Sequence, residues 1–152
     1  MNIQNATIND IKTIIQIKPE IEIDTINKRL ERQSQGEIEF LILENNGQPV
    51  GFVLLKYLGK NTHPEYPDIE DLYIQDNQRG QGYGSILIKE CEQKAIQKGF
   101  SKIGMAVNPK ENCPAYRLYE HLGYKPTNEK PYVDGVYNGI EDWCIDLEKI
   151  LK

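Results

Sequence analysis

Gln78-Arg79-Gly80-Gln81-Gly82-Tyr83-Gly84 is the stretch on which the reading of this chain turns. Residues 68–74, Asp-Ile-Glu-Asp-Leu-Tyr-Ile, read as a strand leading into it, and a helical pattern over residues 84–98 follows, with Gly99 as its stop. Glycines allow a tight backbone turn and let a ligand approach without meeting a Cβ. The first amides of a helix lack internal partners, and the macrodipole adds positive character there. A strand–glycine–helix junction of this kind suits phosphate oxygens, with Arg79 as a charged donor at its edge.

Two nucleotide readings fail. A dinucleotide site needs Gly-x-Gly-x-x-Gly and an acidic residue about 20 positions on. Here the spacing differs, and residues 99–103 hold no acid. An ATP-type phosphate loop needs Gly-Lys-Ser/Thr, and the chain has no such triplet. A plain strand-to-helix turn stays open on these residues alone.

Outward from the junction, residues 102–107 read as a buried strand and residues 114–122 as a short helix closed by Gly123. Residues 132–137 and 142–147 are the last strands. On the other side, residues 37–44 and 50–58 read as strands joined at Asn45-Asn46-Gly47, a hairpin signal. Residues 3–8 suit a first strand. Ile11, Ile14 and Ile15 mark one helix, and residues 23–35 a second with Ile23, Ile26 and Leu30 on one side. The order is α/β around a mixed twisted sheet of six to seven strands with about four helices, one domain over residues 1–152.

Residues 79–84 resemble the Arg/Gln-x-x-Gly-x-Gly/Ala signature of the GNAT N-acetyltransferase superfamily. Asn112-Cys113-Pro114-Ala115-Tyr116-Arg117-Leu118-Tyr119-Glu120-His121-Leu122-Gly123-Tyr124 is similar to that family's Asn-x-x-Ala-x-x-Leu-Tyr-Glu-x-Leu-Gly-Phe/Tyr block. The resemblance is specific over residues 68–126 and organisational over the first sixty. It implies a GNAT-type fold with a splayed central strand pair and acetyl-CoA as co-substrate. The pantetheine arm would pair with Leu72, Tyr73 and Ile74. The pyrophosphate would sit on amides among Gly80, Gln81, Gly82, Tyr83, Gly84 and Ser85 beside Arg79, and Asn112 would reach the cofactor arm.

Acetyl transfer to an amine needs a neutral nitrogen, and deprotonating a lysine-like ammonium at pH 7 costs about 4–5 kcal/mol. A carboxylate, directly or through water, can take that proton. Amides at the end of the splayed strand can steady an oxyanion, and a tyrosine can reprotonate the leaving sulfur. By the resemblance Tyr119 is the acid. On the residues alone it also fits a core stripe with Ala115, Leu118 and Leu122. Glu70 matches the base position of aminoglycoside-type members, and Asp68 that of histone-type members; solvated strand acids are the alternative. Ala106 replaces the glutamate that ribosomal-protein-type members use.

His63 is expected as a solvated loop residue and His121 as a surface one. Tyr132, Asp134, Tyr137, Glu141, Asp142 and Trp143 either frame a cationic acceptor or form a hairpin with a wet face. The net charge of −5 argues against nucleic-acid or anionic-membrane partners. Cys91, Cys113 and Cys144 show neither disulfide nor metal spacing, and residues 1–5 lack a signal-peptide start, which suits the cytoplasm. The expected function is acetyl transfer from acetyl-CoA to a primary amine, first a small cationic one. Protein N-termini or lysines come second, and a non-catalytic CoA sensor is the rival. A homodimer is left open.

Overall fold

The computed structural model of the protein describes residues 1–127 and 130–151. Its scaffold begins with the hairpin. Asn46 (φ 53°) and Gly47 (φ 76°) are both left-handed, the backbone a two-residue hairpin turn requires. They join β2 (Ile38–Asn45) to β3 (Gln48–Lys56) with Asn45 opposite Gln48. Six further strands complete the sheet: β1 (Asn2–Asn5), β4 (Asp68–Ile74), β5 (Lys102–Val107), β6 (Lys125–Pro126), β7 (Tyr132–Tyr137) and β8 (Ile140–Ile150). The order is β1-β2-β3-β4-β5-β8-β6, with β7 also on β8. Among the described residues only β4 and β5 run parallel; the other pairs are antiparallel.

Both faces of the sheet are buried, so alternate residues feed two cores. Ile38, Phe40 and Ile42 of β2 pack with Ile14, Ile17 and Ile26 of α1 (Ile11–Ile17) and α2 (Ile23–Ser34). Leu41 and Leu43, one residue out of phase, join Leu87, Ile88, Cys91 and Ala95 of α3 (Tyr83–Gln97). Ala115, Tyr116 and Tyr119 of α4 (Cys113–His121) pack on this second core. Each fully buried Leu or Ile contributes about 1.5–3 kcal/mol, so the sheet is clamped from both sides.

Several boundaries differ from the sequence expectation. β1 stops at Asn5, because Thr7 caps a short 3-10 turn in a capping box with Asp10. Ile23 opens α2 and is 55 % exposed, so Ile26 and Leu30 carry that face. β8 outruns residues 142–147 because it has partners on both edges. The two-residue β6 brings the sheet to eight strands. Among the described residues no helix is long and apolar enough to cross a membrane.

The feature that positions the site is a break in β4. Phe52 faces Tyr73 and Leu54 faces Glu70, so Val53 alone opposes both Asp71 and Leu72. Such a bulge bends the strand that carries the extra residue. Asp71 takes a left-handed φ of 48°, and its carboxylate is held by Lys18 Nζ and Arg29 Nη2, each at 2.8 Å. On the other edge, β4 and β5 pair only at Asp68–Gly104 and Ile69–Met105. Beyond Ile69 the strands part, as expected for a splayed pair.

Candidate active site

The gap opened by β4 continues as a cleft of about 690 Å³ between the end of β4, the start of α3 and α4. Gly80 (φ 78°) and Gly82 (φ 87°) are left-handed, and a Cβ on either would meet nothing within 4 Å. Glycine is therefore required by backbone conformation, and the turn lies open on its outer side. Gly82 caps α3 without a side-chain bond. None of the amides of residues 80–85 meets an acceptor among the described residues. With the dipole of a fifteen-residue helix behind them, they form an anion cradle. These residues fit a pyrophosphate.

Leu72, Tyr73, Ile74, Arg79, Gly80, Gly82, Tyr83, Gly84, Ser85 and Asn112 all line this cleft. Asn112 caps α4 without spending its side chain on the helix, which leaves its amide for a ligand. The Arg79 guanidinium lies 5.2 Å from the Tyr73 ring centroid and donates to the Ile74 carbonyl at 2.9 Å. That carbonyl is thus shared with Arg79 in any pairing along the β4 edge. Gln81 does not line the cleft. Tyr83 contributes backbone: its ring is buried in the core, with its hydroxyl accepting from Asn45 Nδ2 at 2.9 Å.

A second cavity, of about 890 Å³, lies on the other side of β4. Leu72 and Tyr119 line both spaces, so the two meet there. Burial pushes the Tyr119 phenol up to about 12, which keeps it protonated at neutral pH. No hydrogen bond among the described residues engages its hydroxyl, so its proton is free to be given.

Asp68 and Glu70 also line this second cavity, and their environments differ. Burial raises the Asp68 carboxyl to about 7, helped by the neighbouring Glu70 and opposed by His63. Burial also works on Glu70, but its bond to Asp68 and Lys56 at 3.1 Å outweigh it and hold the carboxyl low. Two adjoining carboxyls pushed apart in this way share one proton, and Glu70 is the ionised member.

His63 is not the solvated loop residue its sequence context implies: it is only 2 % exposed. Its ring stacks on Tyr66 at 4.3 Å, Nδ1 faces the Tyr66 carbonyl at 3.3 Å, and Nε2 faces Asp68 Oδ1 at 3.0 Å. The carbonyl can only accept, so Nδ1 carries a proton and donates to it, while Nε2 meets the Asp68 carboxyl. Burial alone would depress the imidazole, yet Asp68 holds it raised. Gly104 makes the room, since a Cβ there would stand 3.0 Å from His63 Nε2. A histidine five residues before an acid, in a loop without periodicity, gave no sign of this contact.

The cavity floor is less acidic than β4 alone suggests. Lys18, Arg29, Arg32, Lys56 and Lys60 line it beside Asp68, Glu70, Asp71 and Asp134. Asp71 is bound by two cations and so is no free base. Lys60 donates to Tyr132 at 2.7 Å and Asp134 at 2.8 Å; these bonds outweigh its burial and keep the ammonium charged. Of the aromatic and acidic tail residues, Tyr132, Asp134 and Tyr137 line the cavity, while Glu141, Asp142 and Trp143 do not. Sequence reasoning missed all five cations, because they come from four separate segments.

A phosphate-ready helix start, parted parallel strands and a tyrosine between two cavities now stand together. The model of the acetyltransferase (GNAT) family matches residues 8–124. The chain belongs to the GNAT acetyltransferase family. It is 33 % identical over 98 residues to a thialysine N-epsilon-acetyltransferase of Sus scrofa, a match covering 58 % of this chain and 54 % of that protein. An uncharacterized N-acetyltransferase of Methanocaldococcus jannaschii is 31 % identical over 98 residues, covering 63 % of this chain and 42 % of the relative. The match thus spans about half the length of the curated relatives. Acetyl-CoA is the co-substrate of GNAT acetyltransferases, and a putative acetyltransferase of Salmonella typhimurium was solved with it. That structure overlays this chain at a TM-score of 0.80 with 19 % identity, covering 100 % of this chain and 94 % of the other. A ribosomal-protein-alanine N-acetyltransferase of Brucella melitensis overlays at 0.82 with 18 % identity, covering 99 % and 100 %. At such identities these two speak for the GNAT fold alone.

Proposed function

We propose that residues 1–152 act as one acetyltransferase domain that moves an acetyl group from acetyl-CoA directly to a primary amine, the acceptor being a small cationic amine. The observation that carries this reading is the meeting of the two cavities at Leu72 and Tyr119. One offers open amides for a pyrophosphate. The other offers an ionised carboxylate for an ammonium.

In this reading the amides of residues 80–85 and Arg79 hold the phosphates, Asn112 steadies the pantetheine arm, and the free edge of β4 from Leu72 to Ile74 aligns it. Glu70, held ionised by Asp68 and Lys56, binds the acceptor ammonium and takes its proton, directly or through a water. His63 and Asp68 stand behind Glu70, and the proton of the carboxyl pair rests on Asp68. As the N–C bond forms and the C–S bond breaks, an amide at the parted end of β4 steadies the oxygen, and Tyr119 gives its proton to sulfur. With no nucleophile at the junction among the described residues, direct attack by the amine is the simplest order.

The names of the porcine relative and of a spermidine N-acetyltransferase chimera, overlaid at a TM-score of 0.79 with 17 % identity, are compatible with an amine acceptor. The test is thiol release from acetyl-CoA with a panel of small amines, peptides with free N-termini and lysine peptides. Release with small amines supports the reading. Release only with peptides moves the acceptor to protein N-termini or lysines. Calorimetric binding of CoA with no release across the panel makes the protein a sensor and overturns it.

A further inference from the structure

The cations of the acceptor cavity are unevenly matched. Lys56 has Glu70 at 3.1 Å and Lys60 has Asp134 at 2.8 Å, one carboxylate each. At the end formed by α1 and α2, Lys18 and Arg29 share the single carboxylate of Asp71. Arg32, three residues along α2 and so on the same face as Arg29, lines that end as well; its Nε lies 3.3 Å from Glu37, a residue outside the lining. The end therefore keeps a positive excess. The Arg29 side chain is only 17 % exposed, and its guanidinium lies 5.4 Å from the Phe40 ring centroid and 6.0 Å from that of Phe52. Its Nη2 is bound to Asp71, and its Nη1 is buried with no acceptor among the described residues. A buried guanidinium N–H without a partner is costly, and a planar fork suits a carboxylate.

A polyamine would carry further positive charge into this end, where like charges oppose it. An acceptor with an acid group meets the excess with the opposite sign, while its ammonium faces Glu70 one residue along β4. We infer that the acceptor is a small amino-acid-like molecule, whose carboxylate is held by Lys18 and Arg29 while its amine faces Glu70. This rests on the acetyl-transfer reading above and narrows its substrate. It also explains why a strand rich in acids is ringed by lysine and arginine.

The test compares acceptors matched except for the carboxylate: lysine against cadaverine, and ornithine against putrescine, each by thiol release from acetyl-CoA. The expected result is a kcat/KM at least about tenfold higher for the acid-bearing member, with Lys18→Gln and Arg29→Lys each narrowing that ratio to below about threefold. Equal or better use of the decarboxylated member by the wild type would overturn the inference and leave acetyl transfer standing. A ratio unchanged in a folded Lys18→Gln protein would overturn the assigned contact. If neither variant folds, the wild-type ratio alone decides. Thiol release with other amines but with none of these four would overturn the inference and leave acetyl transfer standing; bound CoA with no release from any amine or peptide would overturn the reading beneath it as well.

Discussion

The cleft along α3 and the cavity beyond Tyr119 lie on either side of the same strand and are made of different material. The phosphate end of the cleft is made of backbone: two left-handed glycines and a run of unpaired amides, beside the free edge of β4. The cavity is made of side chains drawn from the end of α1, α2, β3 and the loop after it, β4, β5, α4 and β7, and its charges are paired across those segments. A backbone site tolerates change in side chains and little in main-chain conformation. A side-chain site behaves the other way round, which makes it the place where an acceptor is chosen.

The sharpest way to break that contrast is Gly82→Val. A β-branched residue is hostile to a φ of 87°, so CoA binding by calorimetry should weaken on the order of 100-fold. Unchanged affinity would mean that the cradle is not where the phosphates go. Next in size is Tyr119→Phe, which removes one proton from the junction and no cleft wall. It should lower kcat about 30-fold with little effect on the KM for acetyl-CoA. A wild-type kcat would take Tyr119 out of the chemistry. Glu70→Gln should lower kcat/KM for the amine about tenfold at pH 7, with part of the loss recovered at high pH, where more amine is already neutral. A loss that is the same at every pH would point to binding rather than proton transfer.

A smaller effect concerns stability. Asp68 titrates near 3.9 when unfolded but about 7 when folded, so the unfolded chain sheds that proton first as the pH rises. This contribution therefore falls between those values. His63, also raised, contributes stability below about pH 6.5 that is lost as the pH climbs through its folded value. The signs agree. The lowered carboxyl of Glu70 works oppositely, losing its contribution only in acid. The melting temperature should drop by about 3–6 °C from pH 5.5 to 8, and Asp68→Asn should flatten that slope. A slope as steep in the variant would place the proton elsewhere. Least affected is Gly84→Ala, whose new Cβ would stand 3.7 Å from Leu118 and Leu72, ordinary contact. CoA affinity should stay within about threefold of wild type; a larger loss would show that the cradle is tighter than its geometry.

What could be read from the sequence divides along the same line. The glycine loop, the Asn46-Gly47 hairpin and the strand–helix order are local patterns, and all three appear in the fold. Strands β4, β5 and β7 have the expected bounds, because short alternating or apolar runs between turn residues define them. The parting of β4 and β5 came from the family resemblance, not from periodicity. Contacts between distant segments stayed hidden. His63 against Asp68, and Lys18 with Arg29 on Asp71, join residues whose neighbours in sequence say nothing of each other. Glu70 and Asp68 were equal candidates as letters, and burial with Lys56 alongside makes them unlike.

The unpaired residue in β4 acts as a phase slip. Ile69 points to the α3 core, and without a slip Asp71 and Tyr73 would follow it there. Instead Leu72 and Ile74 do, while Tyr73 joins Phe52 on the opposite face. Deleting that one codon would leave a strand in perfect alternation, free to zip onward along β5. Such a chain would keep every letter of the glycine loop and have nowhere to admit a thioester. The doorway of this molecule is a single amino acid wide.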